Sequence, residues 1–256
     1  MRVISLNTWG GRAMHPLMHF LTRNASETGI FCLQEMHDTS QAYRESQHPD
    51  EYVRWDLLER TRKVLPDHEG YFAVWSDNPD RMSVATFVRR NLPVHFVGDV
   101  VIHTPEKPRE YGSKVISPRK LQYVVLGNGS GRTLTVANYH GLWEGDGKDD
   151  TPERLEQSRS IAKFLDSVSG PFLLCGDFNI HPGTESYRIL REKFDREMVR
   201  DGAFSTTRTP LYRHYEKPGW DPWADYVFAR GVKVLAFTVM PDLASDHAAL
   251  CADLDW

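Results

Sequence analysis

Apolar positions recur along the chain in two rhythms. Arg2 to Thr8 alternates polar and apolar residues and reads as a strand, whereas Met14, Leu17, Leu21 and Ala25 recur at helical spacing until Gly29 closes the segment. Ile30 to Gln34 is an apolar run that predicts a buried strand. A second helix is predicted from about Asp50 to Val64, with Val53, Leu57 and Leu58 on one face and Pro66 ending it. Strands follow at Tyr71 to Trp75, Ser83 to Val88, Val94 to Ile102, Leu121 to Leu126 and Arg132 to Tyr139, all rich in β-branched and aromatic residues. Asn128-Gly129-Ser130-Gly131 predicts a hairpin between the last two. Thr151 and Pro152 predict a helix start, with Leu155, Ser158, Ala162 and Leu165 on its inner face. Phe172 to Cys175, Asp225 to Ala229, Val232 to Val239 and His247 to Leu254 complete the strands.

Hairpins in both halves with a few helices between them predict two mainly antiparallel sheets packed face to face, with helices outside: an α/β sandwich. No repeat, low-complexity tract or linker divides the chain, so one domain over 1–256 is expected. Apolar residues at 40% and charged residues at 26% argue against a disordered or membrane protein. The N-terminal segment lacks the pattern of a signal peptide, and no apolar run is long enough to span a bilayer. Cys32, Cys175 and Cys251 lie far apart in apolar runs and match no zinc spacing. They read as buried reduced thiols, which points to the cytoplasm. A formal charge of -4 offers no general attraction for polyanions.

The chemistry lies where polar residues end or interrupt these strands. Asn7, Glu35, His140, Asp177 with Asn179, and Asp246 with His247 all fall at such ends, which can converge on one cleft. Their types suit hydrolysis of a phosphate ester. Glu35 is a hard oxygen ligand for Mg²⁺ or Mn²⁺, and Asn7 can add an amide oxygen or orient a metal-bound water. Asp177 and Asn179, two apart, share a strand face if extended; one can accept a proton from water while the other donates to phosphate. His140 and His247 can donate to phosphate or move protons near neutrality. Taken singly each residue has a plainer reading: a solvated Glu35, a turn at Asn7 or Asp177, a hydrogen-bonded structural histidine.

Together the ordered segments resemble the endonuclease/exonuclease/phosphatase superfamily, on the side of its deoxyribonuclease and neutral sphingomyelinase branches. Leu6-Asn7-Thr8-Trp9-Gly10, Leu33-Gln34-Glu35, Asn138-Tyr139-His140, Gly176-Asp177-Phe178-Asn179 and Ser245-Asp246-His247 follow the family order. The resemblance implies a deoxyribonuclease-like four-layer sandwich, with Glu35 as principal metal ligand, Asn7 supporting metal and phosphate, and Asp246 supporting the metal or its waters. It also implies that Asp225, in Ala224-Asp225-Tyr226, pairs with His247. By the same resemblance Asp177 aligns or activates water, Asn179 contacts phosphate and His140 stabilises phosphate or assists the leaving group. Which of Asp177 and the Asp225/His247 pair is the base stays open. Trp9 stands where the abasic-site branch has a second polar residue, and Ser83-Val84-Ala85 stands where the family has Gly-x-Ala.

For substrate, the acidic loop Glu144 to Asp150 and the overall charge favour a small phosphorylated compound or nucleotide over long DNA. The basic stretch Lys107 to Lys120 can bind phosphates, and Trp143, Trp220 or Trp223 can stack on a flat group, although core packing is expected of at least two. The alternatives are an endo- or exonuclease on DNA or RNA, a sphingomyelinase-like lipid phosphodiesterase, and a binding module without catalysis. A monomer without stable membrane association is expected.

Overall fold

The computed structural model describes residues 1–38, 56–73, 82–104, 110–111, 114–115, 118–145 and 147–256. In chain order the strands are β1 (Arg2–Asn7), β2 (Thr28–His37), β3 (His68–Phe72), β4 (Met82–Arg89), β5 (Val94–His103), β6 (Glu110–Tyr111), β7 (Lys114–Val115), β8 (Arg119–Gly127), β9 (Thr133–His140), β10 (Phe172–Asp177), β11 (Arg196–Glu197), β12 (Asp225–Arg230), β13 (Lys233–Val239) and β14 (Leu250–Asp255). The helices are α1 (Met14–Asn24), α2 (Leu57–Val64), α3 (Pro152–Ser167), α4 (Glu185–Arg191) and α5 (Met198–Asp201).

Two six-stranded sheets form, ordered β13-β14-β1-β2-β4-β3 and β11-β12-β10-β9-β8-β5. Each is antiparallel except for one central parallel pair, β1 with β2 and β9 with β10. A parallel pair needs a crossover, and α1 and α3 supply them. The expected α/β sandwich is thus present, with mixed sheets.

Strict alternation sorts the strand residues between layers. Val3, Ile30 and Cys32 join a core between the sheets with Val124, Val136 and Cys175, while Ile4, Leu6, Phe31 and Leu33 face outward onto Leu17, Phe20 and Leu21 of α1 and Leu57 and Leu58 of α2. On the opposite outer face Ile161 and Leu165 of α3 and Leu190 of α4 cover the second sheet. Both sheet faces are therefore buried along the central strands, which is why they read as nearly continuous apolar runs.

The inter-sheet layer also holds a polar seam. Gln34 Nε2 donates to Asn138 Oδ1 (2.8 Å), and Asn138 Nδ2 donates to the carbonyls of Leu33 (3.2 Å) and Ala85 (3.1 Å). Thr86 Oγ1 donates to Gln122 Oε1 at 2.7 Å in the same layer. Because a buried amide is costly unless bonded, this seam has few alternative alignments of one sheet on the other.

Several elements differ from expectation. The second helix begins at Leu57 within the described residues; 50–55, like 74–75 of the expected Tyr71 to Trp75 strand, lie outside them. The last strand begins at Leu250 rather than His247, which instead forms an isolated bridge with Arg208. On α3, Thr151 caps as expected by accepting from Arg154 N, yet Arg154 and Gln157 join the buried face and Leu155 is only half-buried. The inward polar groups have partners: Arg154 donates to the carbonyls of Gly147 and Asp149, and Gln157 Oε1 accepts from Tyr139 Oη and from Leu142 N. The Asn128 to Gly131 turn does connect β8 to β9.

Replacing Asn138 by Leu leaves Gln34 without its cross-sheet acceptor in a buried layer. A loss of about 2–3 kcal/mol in unfolding free energy is expected from urea titration, against less than about 0.5 kcal/mol for an exposed control such as Lys163→Gln.

Candidate functional site

Parallel strands end at the same edge of a sheet, so the carboxyl ends of β1, β2, β9 and β10 all face one side of the molecule. Asn7 pairs in register with Gln34, and His140 with Asp177, so the residues expected from the sequence meet there in two facing rows. Asn7 Nδ2 bridges the sheets, donating to Asp177 Oδ2 (2.9 Å) and to Glu35 Oε1 (3.2 Å), while its Oδ1 accepts from Trp9 N (3.0 Å). In this arrangement the amide nitrogen, not the oxygen, faces the carboxylates.

Glu35 reaches the site by breaking alternation. Continued pleating would turn it with Phe31 and Leu33 onto the helix side, but β2 is bulged against β4 between Leu33 and Met36 and Glu35 adopts φ 54°. Trp9 and Asn179 are left-handed too, at φ 54° and 53°. Such conformations cost of order 1–3 kcal/mol each. Asn179 is therefore not extended beside Asp177 as the spacing allowed; it follows the end of β10, and its N–H closes onto Asp177 Oδ1 at 3.0 Å. Gly176 has a local reason for its place, since a Cβ there would lie 1.9 Å from the Tyr139 carbonyl oxygen of β9.

The terminal histidine is held from both sides. His247 Nδ1 lies 2.8 Å from Asp225 Oδ2, and Asp225 in turn accepts from Thr207 Oγ1 at 3.0 Å. His247 Nε2 lies 3.7 Å from Asp177 Oδ2 and 3.9 Å from Asp246 Oδ1. His140 Nε2 is 3.8 Å from the same Asp177 oxygen and 3.9 Å from Glu35 Oε1. Asn7, His140, Asp177, Asn179, Asp225, Asp246 and His247 are buried, and Glu35 is half-buried. All eight expected residues thus form one connected cluster.

Electrostatics separate the titratable groups. Burial works against the Asp177 carboxylate, but His247, His140 and Arg208 hold it down at about 2. Burial likewise opposes Glu35 ionisation and is outweighed by His140, His247 and the Asn7 hydrogen bond, so its pKa falls. Asp246 is pushed up by burial. The histidines move apart: burial and Arg119 lower His140, whereas Asp225, Asp177 and Asp246 raise His247 against burial and Arg208.

Among the described residues, Asp177, Asp225 and His247 present ligand atoms within 4.8 Å of one another, a cluster that could hold a metal ion. The oxygens of Glu35 and Asp246 add hard donors beside it.

Three cations lie beside the site, of which only Arg119 belongs to the basic stretch expected to bind phosphates. Arg208 touches His247 Nε2 with its guanidinium and stacks on Tyr212 at 4.4 Å. Lys148, inside the supposedly acidic rim, is buried, donates to the Trp223 carbonyl (3.0 Å) and is lowered to about 8, first by burial and then by Arg208. Arg119 is lowered by burial close to Glu35 and Asp177. No local pattern marks Thr207 or Arg208, because their partners are 18 and 39 residues away. The acidic loop also differs from a solvated rim: Glu144 pairs with Thr151 and Arg154, and Asp150 accepts from the N-terminal amides of α4; Asp146 lies outside the described residues. Of the basic stretch, Lys120 pairs with Asp99, while Lys107 and Arg109 are not described and the Lys114 side chain is not described. Trp220 and Trp223 are half-buried and Trp143 is 43% exposed.

A two-sheet α/β sandwich with carboxylates, amides and paired histidines at its strand ends is the class of fold used by phosphoester hydrolases. The profile of the "Endonuclease/Exonuclease/phosphatase family" matches residues 4–247, and the chain belongs to that family. No curated protein matches in sequence. Among solved structures, a mannosyl-6-phosphatase of Bacteroides thetaiotaomicron VPI-5482 superposes with TM-score 0.71 at 17% identity, covering 100% of both chains. A humanized D. rerio TDP2 carrying 14 mutations gives 0.72 at 13% identity over 100% of this chain and 99% of its own. An endonuclease/exonuclease/phosphatase from Beutenbergia cavernae DSM 12333 gives 0.66 at 22% identity, over 99% of this chain and 71% of its own. At these identities the likeness is one of fold.

In the metal-free protein the two histidines are expected to titrate on opposite sides of the ordinary histidine value of 6.5. Two-dimensional NMR of the ring protons, assigned with His140→Gln and His247→Gln, checks this. Because His247 is raised, its contribution to stability is full below the unfolded pKa and is lost as pH rises through the folded one. His140 acts with the opposite sign.

Proposed function

We propose that this chain is a divalent-metal-dependent phosphoesterase working as one catalytic domain, with a small phosphorylated compound or nucleotide as substrate. The observation that carries the reading is the convergence of Glu35, Asp177, His140 and the Asp225–His247 pair on one edge, tied by the Asn7 amide. The donor set fits Mg²⁺ or Mn²⁺: several carboxylates crowd a buried site in which Asp246 is pushed up by burial, and a hard cation relieves that excess of charge. Glu35 would hold the ion, with Asp246 and Asn7 in support. When bound, the metal supplies charge neutralisation on the phosphate and stabilises the departing oxygen.

The remaining steps fall to the chain's own side chains. Asp225 fixes His247 with Nδ1–H donated to it, so that Nε2, in contact with the Arg208 guanidinium and near Asp177 and Asp246, is the nitrogen that faces the site. Asp177, bonded to the Asn7 amide and 3.8 and 3.7 Å from His140 and His247, orients the attacking water, and Asp177 or the Asp225–His247 pair takes its proton. Asn179, whose Nδ2 makes only a 3.5 Å contact with the Gly141 carbonyl, donates to a phosphate oxygen. His140, lowered by burial, donates to phosphate or to the leaving oxygen in its neutral form.

A small substrate is supported by charge: the chain carries a formal charge of -4, and of the described cations of the basic stretch Arg119 is buried against Glu35 and Asp177 and Lys120 is paired with Asp99. The fold-level likeness to a mannosyl-6-phosphatase is compatible with a phosphorylated small molecule.

Purified protein is expected to hydrolyse p-nitrophenyl phosphate or bis(p-nitrophenyl) phosphate with Mg²⁺ or Mn²⁺ and to lose that activity in EDTA. Glu35→Gln and Asp225→Asn should each lower kcat/KM by about a hundredfold or more. Nucleic acid and a choline phospholipid, assayed in parallel, test the other family substrates. Equal, metal-independent activity of wild type and Glu35→Gln would overturn the mechanism.

A further inference from the structure

Arg208 is a buried cation that makes no direct ion pair among the described residues, although, against burial, Asp177, Asp225 and Asp246 together raise its pKa. It is 7% exposed, its Nε is buried with no hydrogen-bond partner, and among the described residues its guanidinium has one close polar neighbour, His247 Nε2. Asp177, Asp225 and Asp246 act on it only at longer range, and the ring of Tyr212 fixes its plane from one side at 4.4 Å. The backbone around it is equally set: Arg208 N donates to Thr206 Oγ1 at 2.8 Å, and the residue bridges His247 across two short segments. The carboxylates keep it charged, yet its buried Nε donor has no acceptor, which a bound anion can supply. The position at issue is also the one nearest the nitrogen that must face the reacting phosphate.

Resting on the phosphoesterase reading above, we propose that Arg208 is a phosphate-binding specificity residue that favours a phosphomonoester over a phosphodiester. Its planar fork of N–H donors matches the oxygens of a phosphoryl group. A monoester near neutral pH carries close to two charges on three free oxygens, whereas a diester carries one charge on two. The extra oxygen and charge of the monoester are what an additional guanidinium beside His247 reads. On binding, the guanidinium exchanges its contact with His247 Nε2 for the phosphate, which also frees that nitrogen for proton movement. Lys148, buried and 3.5 Å from Asp221, has a carboxylate partner of its own and does not share this role.

The test uses wild type, Arg208→Met and Arg208→Lys, each loaded with Mg²⁺ or Mn²⁺ and checked for equal folding by circular dichroism and thermal melting. Kinetics on p-nitrophenyl phosphate and bis(p-nitrophenyl) phosphate are paired with calorimetric titration of inorganic phosphate. Arg208→Met is expected to lower kcat/KM about a hundredfold on the monoester and less than about tenfold on the diester, and to weaken phosphate binding at least about tenfold. Arg208→Lys, which keeps the charge but loses the fork, should fall between. Equal losses on both esters with unchanged phosphate affinity would overturn the proposal and make Arg208 a positioning residue of His247. If wild type hydrolyses neither ester, the catalytic reading fails, and the phosphate titration still decides whether Arg208 binds the anion: unchanged affinity in Arg208→Met rejects it.

Discussion

The architecture depends on one constraint: parallel neighbours end at the same edge. Each sheet is antiparallel apart from its central pair, and it is those pairs, β1 with β2 and β9 with β10, that bring four strand ends to one place. Asn7, Glu35, His140 and Asp177 are hung on them, and Asp225, Asp246 and His247 come in from β12 and the segment before β14. The crossover helices that parallel pairing requires cover the outer faces, and the sheets' inner faces meet through an apolar layer crossed by the Gln34–Asn138 seam. Gln34 adjoins Glu35 and Asn138 lies two residues before His140, so the polar bonds that align the sheets also align the cluster above them.

Within that frame the charges divide the labour. Two histidines share a single Asp177 oxygen at 3.8 and 3.7 Å, yet one is lowered by burial and Arg119 while the other is raised by carboxylates. Groups of the same type are thus driven apart by their surroundings, His140 toward its neutral form and His247 toward its protonated one. The cost is visible in the backbone, where Trp9, Glu35 and Asn179 hold left-handed conformations that ordinary pleating would avoid.

Much of this was legible in the sequence because strand ends and motif order are local features. Asn7, Glu35, His140, Asp177 and the Asp246–His247 pair each interrupt an apolar run, and Asp225 was reached only through family resemblance. What escaped depends on three-dimensional return of the chain. Arg208 sits in a Thr-rich segment without apolar rhythm and meets His247 through an isolated bridge. Lys148 looked like one positive charge in a solvated acidic loop, whereas Arg154 and the amides of α4 draw that loop inward. The bulge at Glu35 was likewise invisible, since the alternation before it predicts the opposite face.

The pairing of β1 with β14 has a bearing on how the molecule comes into being. Arg2 lies opposite Asp253 and joins it by an ion pair at 3.0 Å, so β1 is flanked by a strand 251 positions away. Until β14 is in place, β1 keeps one row of backbone donors and acceptors open. Such an edge invites pairing with other chains. The sheet that holds Asn7 and Glu35 thus closes only through a pairing of high sequence separation, the kind of contact that is slow to form.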